Sequence, residues 1–304
     1  MASSAVRSNS PFVLAMRRFK RHKLAIASFA LLILMIVVVI FAPLFEQMMG
    51  VDANQVDLFN QKAPPSAQHL LGTDELGRDV MVRLMYGGRI SLFTGLIAAL
   101  AAASIGTIVG LFAGYFGGRL DALLMRFTDS VIALPLLPLL IVLAAIDLKK
   151  VGFSDDAASS DMVSFYRIIV IVALVGWTTV ARLVRGATLS LKEREFVMAA
   201  EGVGASHMHI MFKHIFPNLI SPIIVAVTLS VGNVILLELV LSFLGLGIQP
   251  PMPSWGNMLT NAQELIWDAP MLAVYPGLLI FVTVISFNFL GDGLQDAFDP
   301  KAEV

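Results

Sequence analysis

Hydrophobic residues along the chain fall into six long runs that contain few or no charges. A helix needs about 20 such residues to cross roughly 30 Å of hydrocarbon. We therefore predict six transmembrane helices, at Leu24–Phe45, Ser91–Tyr115 (inside the uncharged stretch Ile90–Gly118), Ser130–Ile146, Val163–Ala181, Leu219–Leu241 and Pro270–Leu290. The fourth run contains Arg167 and the fifth contains Glu238, so these two predictions rest on weaker patterns.

Composition excludes a water-soluble protein. Of the 304 residues, 57% are hydrophobic and 14% are charged, whereas about 25% are charged in an average soluble domain. The absence of cysteine excludes disulfides, thiolate metal sites and cysteine nucleophiles. The first run is longer than the roughly 7–15 apolar residues of a signal peptide, so we expect a retained span.

Basic residues predict the orientation of the spans. Most lysines and arginines lie on the side of the N-terminus, which the positive-inside rule assigns to the cytoplasm. We expect a cytoplasmic N-terminal segment at 1–23, a permease domain at 24–292 and a cytoplasmic tail at 293–304. The largest cytoplasmic loop is 182–218, and six spans place both termini inside.

Small residues recur at every fourth position of the second span. They are Ala98, Ala102, Gly106, Gly110, Gly114 and Gly118. Such a column lets another helix approach backbone to backbone, which indicates close packing in the bundle. A moving or substrate-lining seam is the alternative.

The outer segment before the second span alternates acids and bases between glycines. Its residues include Gly72, Thr73, Asp74, Gly77, Arg78 and Asp79. The pattern predicts a compact, self-paired turn followed by a short helix on the membrane surface. Asp74 and Asp79 could be metal ligands, but ion pairs with the neighbouring Arg78 and Arg83 are the favoured use.

The cytoplasmic loop carries apolar residues at helical spacing on both sides of Gly202 and Gly204. We predict one short helix, a glycine break and a second short helix that stops before Pro217. This is typical of a docking element that enters a partner's groove or of an amphipathic helix on lipid headgroups. His207, His209 and His214 lack the spacing of a zinc site.

The outer segment Leu244–Leu259 contains three prolines and Trp255. It predicts a rigid re-entrant or interfacial turn, with the tryptophan anchored at headgroup depth.

Three motifs in this order resemble those of the binding-protein-dependent transport permeases. The resemblance is to the C-type subunit of dipeptide, oligopeptide and nickel importers, and it covers nearly the whole chain. The motifs are the runs Leu71–Asp79, Gln249–Gly256 and Phe287–Lys301.

In that family the cytoplasmic loop has a Glu-Ala-Ala, three residues, Gly, nine residues, Ile-x-Leu-Pro pattern, and its first helix couples to the ATPase. On this chain the pattern falls on Met198, Ala199, Ala200, Gly204, His214, Phe216 and Pro217. Met198 replaces the usual glutamate, so Glu195 or Glu201 is expected to supply the charge.

The resemblance implies an all-α ABC type I importer permease in the bacterial inner (plasma) membrane. Its implied partners are a homologous second permease, two ATPase subunits, an extracytoplasmic binding protein and the lipid bilayer, with no nucleic acid. The chain has no Gly-x-x-x-x-Gly-Lys-Ser/Thr loop, so ATP and Mg²⁺ are expected on the ATPases and no cofactor on this chain. Peptides are the expected cargo, with nickel chelates or glutathione as alternatives.

Polar residues inside the spans are candidates for the translocation path: Asn233, Glu238 and Asn288. An ion-coupled secondary transporter is the main rival class, and it would need intramembrane acids and an internal repeat. A membrane-embedded enzyme would need a nucleophile with its base or a metal cluster, and no such constellation is visible.

Overall fold

A computed structural model describes residues 11–152, 154–155 and 162–298. Within these residues the regular secondary structure is helical, apart from one isolated bridge between Thr73 and Asp79. The helices are α1 (Pro11–Phe19), α2 (Lys23–Ile40), α3 (Ala42–Met49), α4 (Val80–Phe116), α5 (Gly118–Ala133), α6 (Leu136–Ala144), α7 (Val163–Lys192), α8 (Glu195–Gly202), α9 (His207–Phe243), α10 (Ala262–Asp268) and α11 (Met271–Phe298).

Five of these helices are long and apolar enough to cross a membrane: α2, α4, α7, α9 and α11. The predicted third span is broken, because α5 and α6 meet at an angle of 85°. Pro135 explains the break, since it cannot donate a helical hydrogen bond and it disfavours the α conformation at Leu134. Leu134 accordingly has an extended backbone, with φ −73° and ψ 135°.

The part of the small-residue column from Ala102 to Gly114 packs directly on α7, which confirms the predicted close packing there. Gly118, the last residue of the predicted column, instead begins α5, and a Cβ on it would meet no atom within 4 Å. A Cβ atom on Gly110 would lie 2.4 Å from the carbonyl oxygen of Ala181, and one on Gly106 would lie 2.5 Å from that of Trp177. Only hydrogen fits in this space, so the two backbones are in contact. Helices α2, α9 and α11 complete the bundle.

The bundle has two chemically different ends. At 37 residues, α4 is about 55 Å long, and it connects a cap end with an α8 end. The cap end carries the charged turn (residues 69–79) and the cap segment (residues 244–261). The α8 end carries α8 and the helix termini Phe116, Lys192 and His207.

The predicted surface helix after the charged turn is wrong, because that sequence is the beginning of α4. Asp79 caps this helix by accepting a hydrogen bond from the Val82 amide at 2.8 Å, and the helix then continues without a break to Phe116. Gly87 and Gly88 do not interrupt it, since the Trp255 region of the cap segment packs against them.

Candidate functional site

Helix α8 has one face fixed to the bundle and one face exposed. Val197 and Ala200 are buried against a cluster that includes Tyr115, Ile210 and Met211. The exposed face mixes apolar side chains with carboxylates, and its residues are Glu195, Phe196, Met198, Ala199 and Glu201. An apolar surface of this kind, held on a rigid base, is suited to insertion into a groove.

Gly204 ends α8 in a Schellman motif, as a glycine break predicts. Its backbone is left-handed, with φ +81°. The Gly204 amide donates to the carbonyl of Glu201 at 2.9 Å, and the Ala205 amide donates to the carbonyl of Ala200 at 3.0 Å. These bonds satisfy two of the last carbonyls of the helix and turn the chain sharply. Val203, in the turn, is 85% exposed.

The helix after this turn does not stop before Pro217, so that prediction is wrong. Ser206 caps α9, and the helix passes through a π-helical stretch at Ile210–Ile215 before it reaches Pro217. A π turn moves the carbonyl groups away from their α-helical partners, which accommodates the missing N–H of proline. The same stretch brings the rings of His209 and His214 within 5.6 Å, centroid to centroid. No group of three potential metal ligands occurs among the described residues.

At the cap end, the charged turn is self-paired, which confirms the predicted ion pairs of Asp74. Its Oδ2 lies 2.7 Å from Nε of Arg78 and 3.4 Å from Nε of Arg83. Asp79 accepts the helix-capping bond and contacts His69 Nδ1 at 2.9 Å. The Thr73 hydroxyl donates to the carbonyl of Asn60.

Two glycines let the preceding chain cross over this turn. Gly72 and Gly77 are so close to that chain that a Cβ on Gly77 would overlap the carbonyl of Asp57. The turn therefore has a structural role, because its ion pairs and close contacts fix the position of the chain that precedes α4.

The cap segment enters the bundle, and this corrects the expected position of Trp255. The side chain is 1% exposed, and its indole Nε1 donates to the carbonyl of Leu84 at 2.9 Å. Its backbone amide donates to the hydroxyl of Ser91 at 3.1 Å. Burial is possible because Gly88 leaves room for the indole ring.

Glu238 holds the same cap segment. It is 1% exposed, and it accepts hydrogen bonds from the hydroxyls of Ser242 at 2.7 Å and Ser254 at 2.8 Å. Asn233 and Asn288 are exposed on the surface of the bundle. The structure therefore does not bring the three polar path candidates to one buried site.

A cavity of about 470 Å³ lies between the charged turn and the cap segment. Its polar wall is largely paired internally, for example by the 2.8 Å bond from the Asn261 amide to Glu75. The cavity therefore lies at a contact between the charged turn and the cap segment, where most polar groups already have partners within the chain.

Sequence reasoning missed the junction beneath α8, where Tyr115, Lys192 and His207 meet. The three residues are far apart in sequence and belong to different helices, so no local spacing connects them. The only signal was their common location at span ends on the predicted cytoplasmic side.

Comparison with known proteins agrees with this architecture. Residues 106–304 match the family described as the binding-protein-dependent transport system inner membrane component, and residues 10–65 match the N-terminal TM domain of oligopeptide transport permease C. The oligopeptide transport system permease protein OppC of Bacillus subtilis is 39% identical over 94% of this chain and 88% of its own length. The glutathione transport system permease protein GsiD of Escherichia coli O6:K15:H31 is 43% identical over 94% and 89%.

Two further comparisons concern a dipeptide permease and a solved structure. The dipeptide transport system permease protein DppC of Alkalihalophilus pseudofirmus is 40% identical over 96% of this chain and 90% of its own length. A chain of the MetNI methionine ABC transporter, in an inward-facing form, shares the fold with a TM-score of 0.57 and 18% identity, over 72% of this chain and 98% of its own. The chain therefore belongs to the family of inner-membrane components of binding-protein-dependent transport systems, and it has the permease fold of a type I ABC importer.

Proposed function

We propose that this chain is one of two permease subunits of an ABC importer and that α8 is its docking element for an ATPase subunit. The exposed face of α8 carries this proposal. It presents Phe196 and Met198, which are 43% and 53% exposed, on a helix whose other face is locked into the bundle. A partner that pushes on this face would move the helices beneath it as a rigid body.

The charge distribution supports a cytoplasmic position for α8. Arg182, Arg185 and Lys192 lie towards the end of α7 that leads into α8. Further basic residues cluster around α1 and the start of α2 at this end, and the positive-inside rule places such an end in the cytoplasm. The ATPases, with their ATP and Mg²⁺, then bind at the α8 end, and an extracytoplasmic binding protein delivers cargo at the cap end.

The second permease is expected to face the exposed polar residues of the spans. Asn233 and Asn288 lie on helices α9 and α11 and are exposed on the isolated bundle. An amide in contact with lipid chains would be left without partners, so such side chains favour a water-filled path or a neighbouring subunit. We propose that they line the path between the two permeases.

Peptides are the proposed cargo. Relatives that align over nearly their full length are named as oligopeptide, dipeptide and glutathione permeases. Glutathione is itself a peptide, so peptidic solutes are common to all three names. Nickel chelates are the alternative cargo within the same family.

The proposal is tested by measuring first whether the ATPases bind to the chain and then whether the complex takes up peptide. The chain is co-expressed with its neighbouring permease, ATPase and binding-protein genes, purified in mild detergent and reconstituted for peptide uptake. Ala199→Arg places a long charged side chain on the exposed face of α8, and we expect loss of ATPase co-purification and of uptake. Gln68→Arg, at another exposed position near the cap end, is the control and should keep the ATPases bound.

Two results would contradict the proposal. The first is normal ATPase binding and uptake by the Ala199→Arg complex. The second is a chain that purifies alone and moves solute without ATP, which would favour the ion-coupled secondary transporter.

A further inference from the structure

Tyr115 holds both ends of the loop that carries α8. This residue lies at the end of α4 and is 3% exposed. Its hydroxyl is 2.8 Å from Nδ1 of His207, the first residue of α9. Its carbonyl accepts a hydrogen bond from Nζ of Lys192, the last residue of α7, also at 2.8 Å.

These contacts close a ring around the loop. Lys192 precedes α8 and His207 follows it, so the chain leaves Tyr115 at one side of α8 and returns to it at the other. The Lys192 ammonium also lies 5.5 Å from the centre of the tyrosine ring, within reach of a cation–π contact. The His207 ring packs edge-on against Tyr115 and Phe116, with centroids 5.7 and 6.0 Å away.

Helix α4 is in a position to move when α8 moves, because it contacts both α7 and the cap segment. Near Tyr115, Gly114 places its backbone against Thr188 and Arg185 of α7. Towards the cap end, Ser91 of the same helix holds the backbone of Trp255. A displacement of Tyr115 would therefore act on a helix that is in contact with the cap segment.

We propose that Tyr115 is the positioning residue that transmits the movement of α8 to α4, and that its hydrogen bond to His207 is the specific link. This proposal rests on the proposed function, because it names the residue through which a movement caused by the ATPase at α8 would reach α4. It adds a residue that is buried in the bundle, outside the exposed face of α8.

A purely structural role predicts a different result from a transmitting role. If Tyr115 only filled space, Tyr115→Phe would be neutral, because the ring, the main-chain bond to Lys192 and the packing all remain. If the hydroxyl transmits movement, the same variant assembles normally but transports less for each ATP hydrolysed. The ratio of uptake to ATP hydrolysis therefore separates the two roles.

The experiment uses the full complex in liposomes, with both uptake and ATP hydrolysis measured. We expect Tyr115→Phe and His207→Ala each to lower peptide uptake per ATP by about fivefold, the effect of losing one hydrogen bond. The double variant should be no worse than either single one, since both remove the same link. His207→Asn, which keeps a polar atom near the position of Nδ1, should restore most of the ratio.

The outcomes are distinct from those for the docking proposal. An unchanged ratio in Tyr115→Phe, or equal defects in His207→Ala and His207→Asn, would overturn the transmitting role while Ala199→Arg still disrupts docking. Failure of all three variants to assemble would show that the junction only holds the fold and would also overturn it. Assembly with a reduced ratio, rescued by asparagine, supports it.

Discussion

At the residue scale, Gly204 is the position of the α8 loop whose backbone requires glycine. The left-handed conformation at φ +81° costs about 1–2 kcal/mol for a residue with a Cβ atom. A Cβ there would meet no other atom within 4 Å, so strain alone decides the effect. Gly202 lies in α8 itself, also with no atom within 4 Å of its Cβ position, and provides a matched control.

We expect Gly204→Ala to loosen the end of α8. Amide hydrogen exchange of residues 203–205 should become about fivefold faster or more, as a loss of about 1 kcal/mol in local stability requires. Gly202→Ala should not accelerate exchange, because alanine favours the helix by roughly 1 kcal/mol over glycine. Equal exchange rates in the two variants would refute the Schellman cap as the source of local order.

At the element scale, the contact between α4 and α7 is the main internal joint of the bundle. We expect Gly110→Ala to force the helices apart, because the added Cβ would meet the Ala181 carbonyl at 2.4 Å and the Arg185 amide nitrogen at 2.9 Å. Overpacking of this kind costs about 1–3 kcal/mol, and the melting temperature of the purified complex reports it.

Gly176→Ala is the control for this joint. It lies in α7 beside α4, and its added Cβ would meet Ala102 at 3.5 Å, an ordinary contact distance. Equal melting temperatures for the Gly110→Ala and Gly176→Ala complexes would contradict the prediction. They would show that α4 and α7 can separate enough for the added Cβ without loss of stability.

Helices were predictable from the sequence where the pattern that defines them lies within a single helix. Five of the six predicted spans correspond to long apolar helices, and the small-residue column predicted the face of α4 that packs closely. The third span was misjudged because Pro135 sits inside an apolar run, and hydropathy does not register a bend. At Pro217 the sequence predicted the end of a helix, but the helix continues, since a π turn accommodates the proline.

The candidate site was predictable only in part, for the same physical reason. The exposed face of α8 follows from local helical spacing, so the sequence indicated it. The burial of Trp255 and the junction at Tyr115 depend on helices that meet across the bundle, and no local pattern encodes such contacts. Glu238 illustrates both aspects: its intramembrane position was visible, but its bond to Ser254 was not.

At the scale of the whole molecule, the absence of cysteine makes the orientation of the chain directly measurable. Phe59 at the cap end is fully exposed, and Val203 beside α8 is 85% exposed, so a single cysteine at either position should react with a maleimide. We expect an impermeant maleimide to label Phe59→Cys in intact spheroplasts. Val203→Cys should be labelled only after permeabilisation, because we propose from the positive-inside rule that the basic α8 end faces the cytoplasm.

The same labels also test assembly, because an ATPase docked on α8 would cover Val203. In permeabilised membranes, co-expression of the ATPases should protect Val203→Cys and leave Phe59→Cys unaffected. Protection of neither position would mean that α8 is not the docking element, whatever the orientation. Labelling of Val203→Cys in intact spheroplasts would invert the molecule and place α8 where no ATPase can reach it, so the energy source would have to be sought elsewhere.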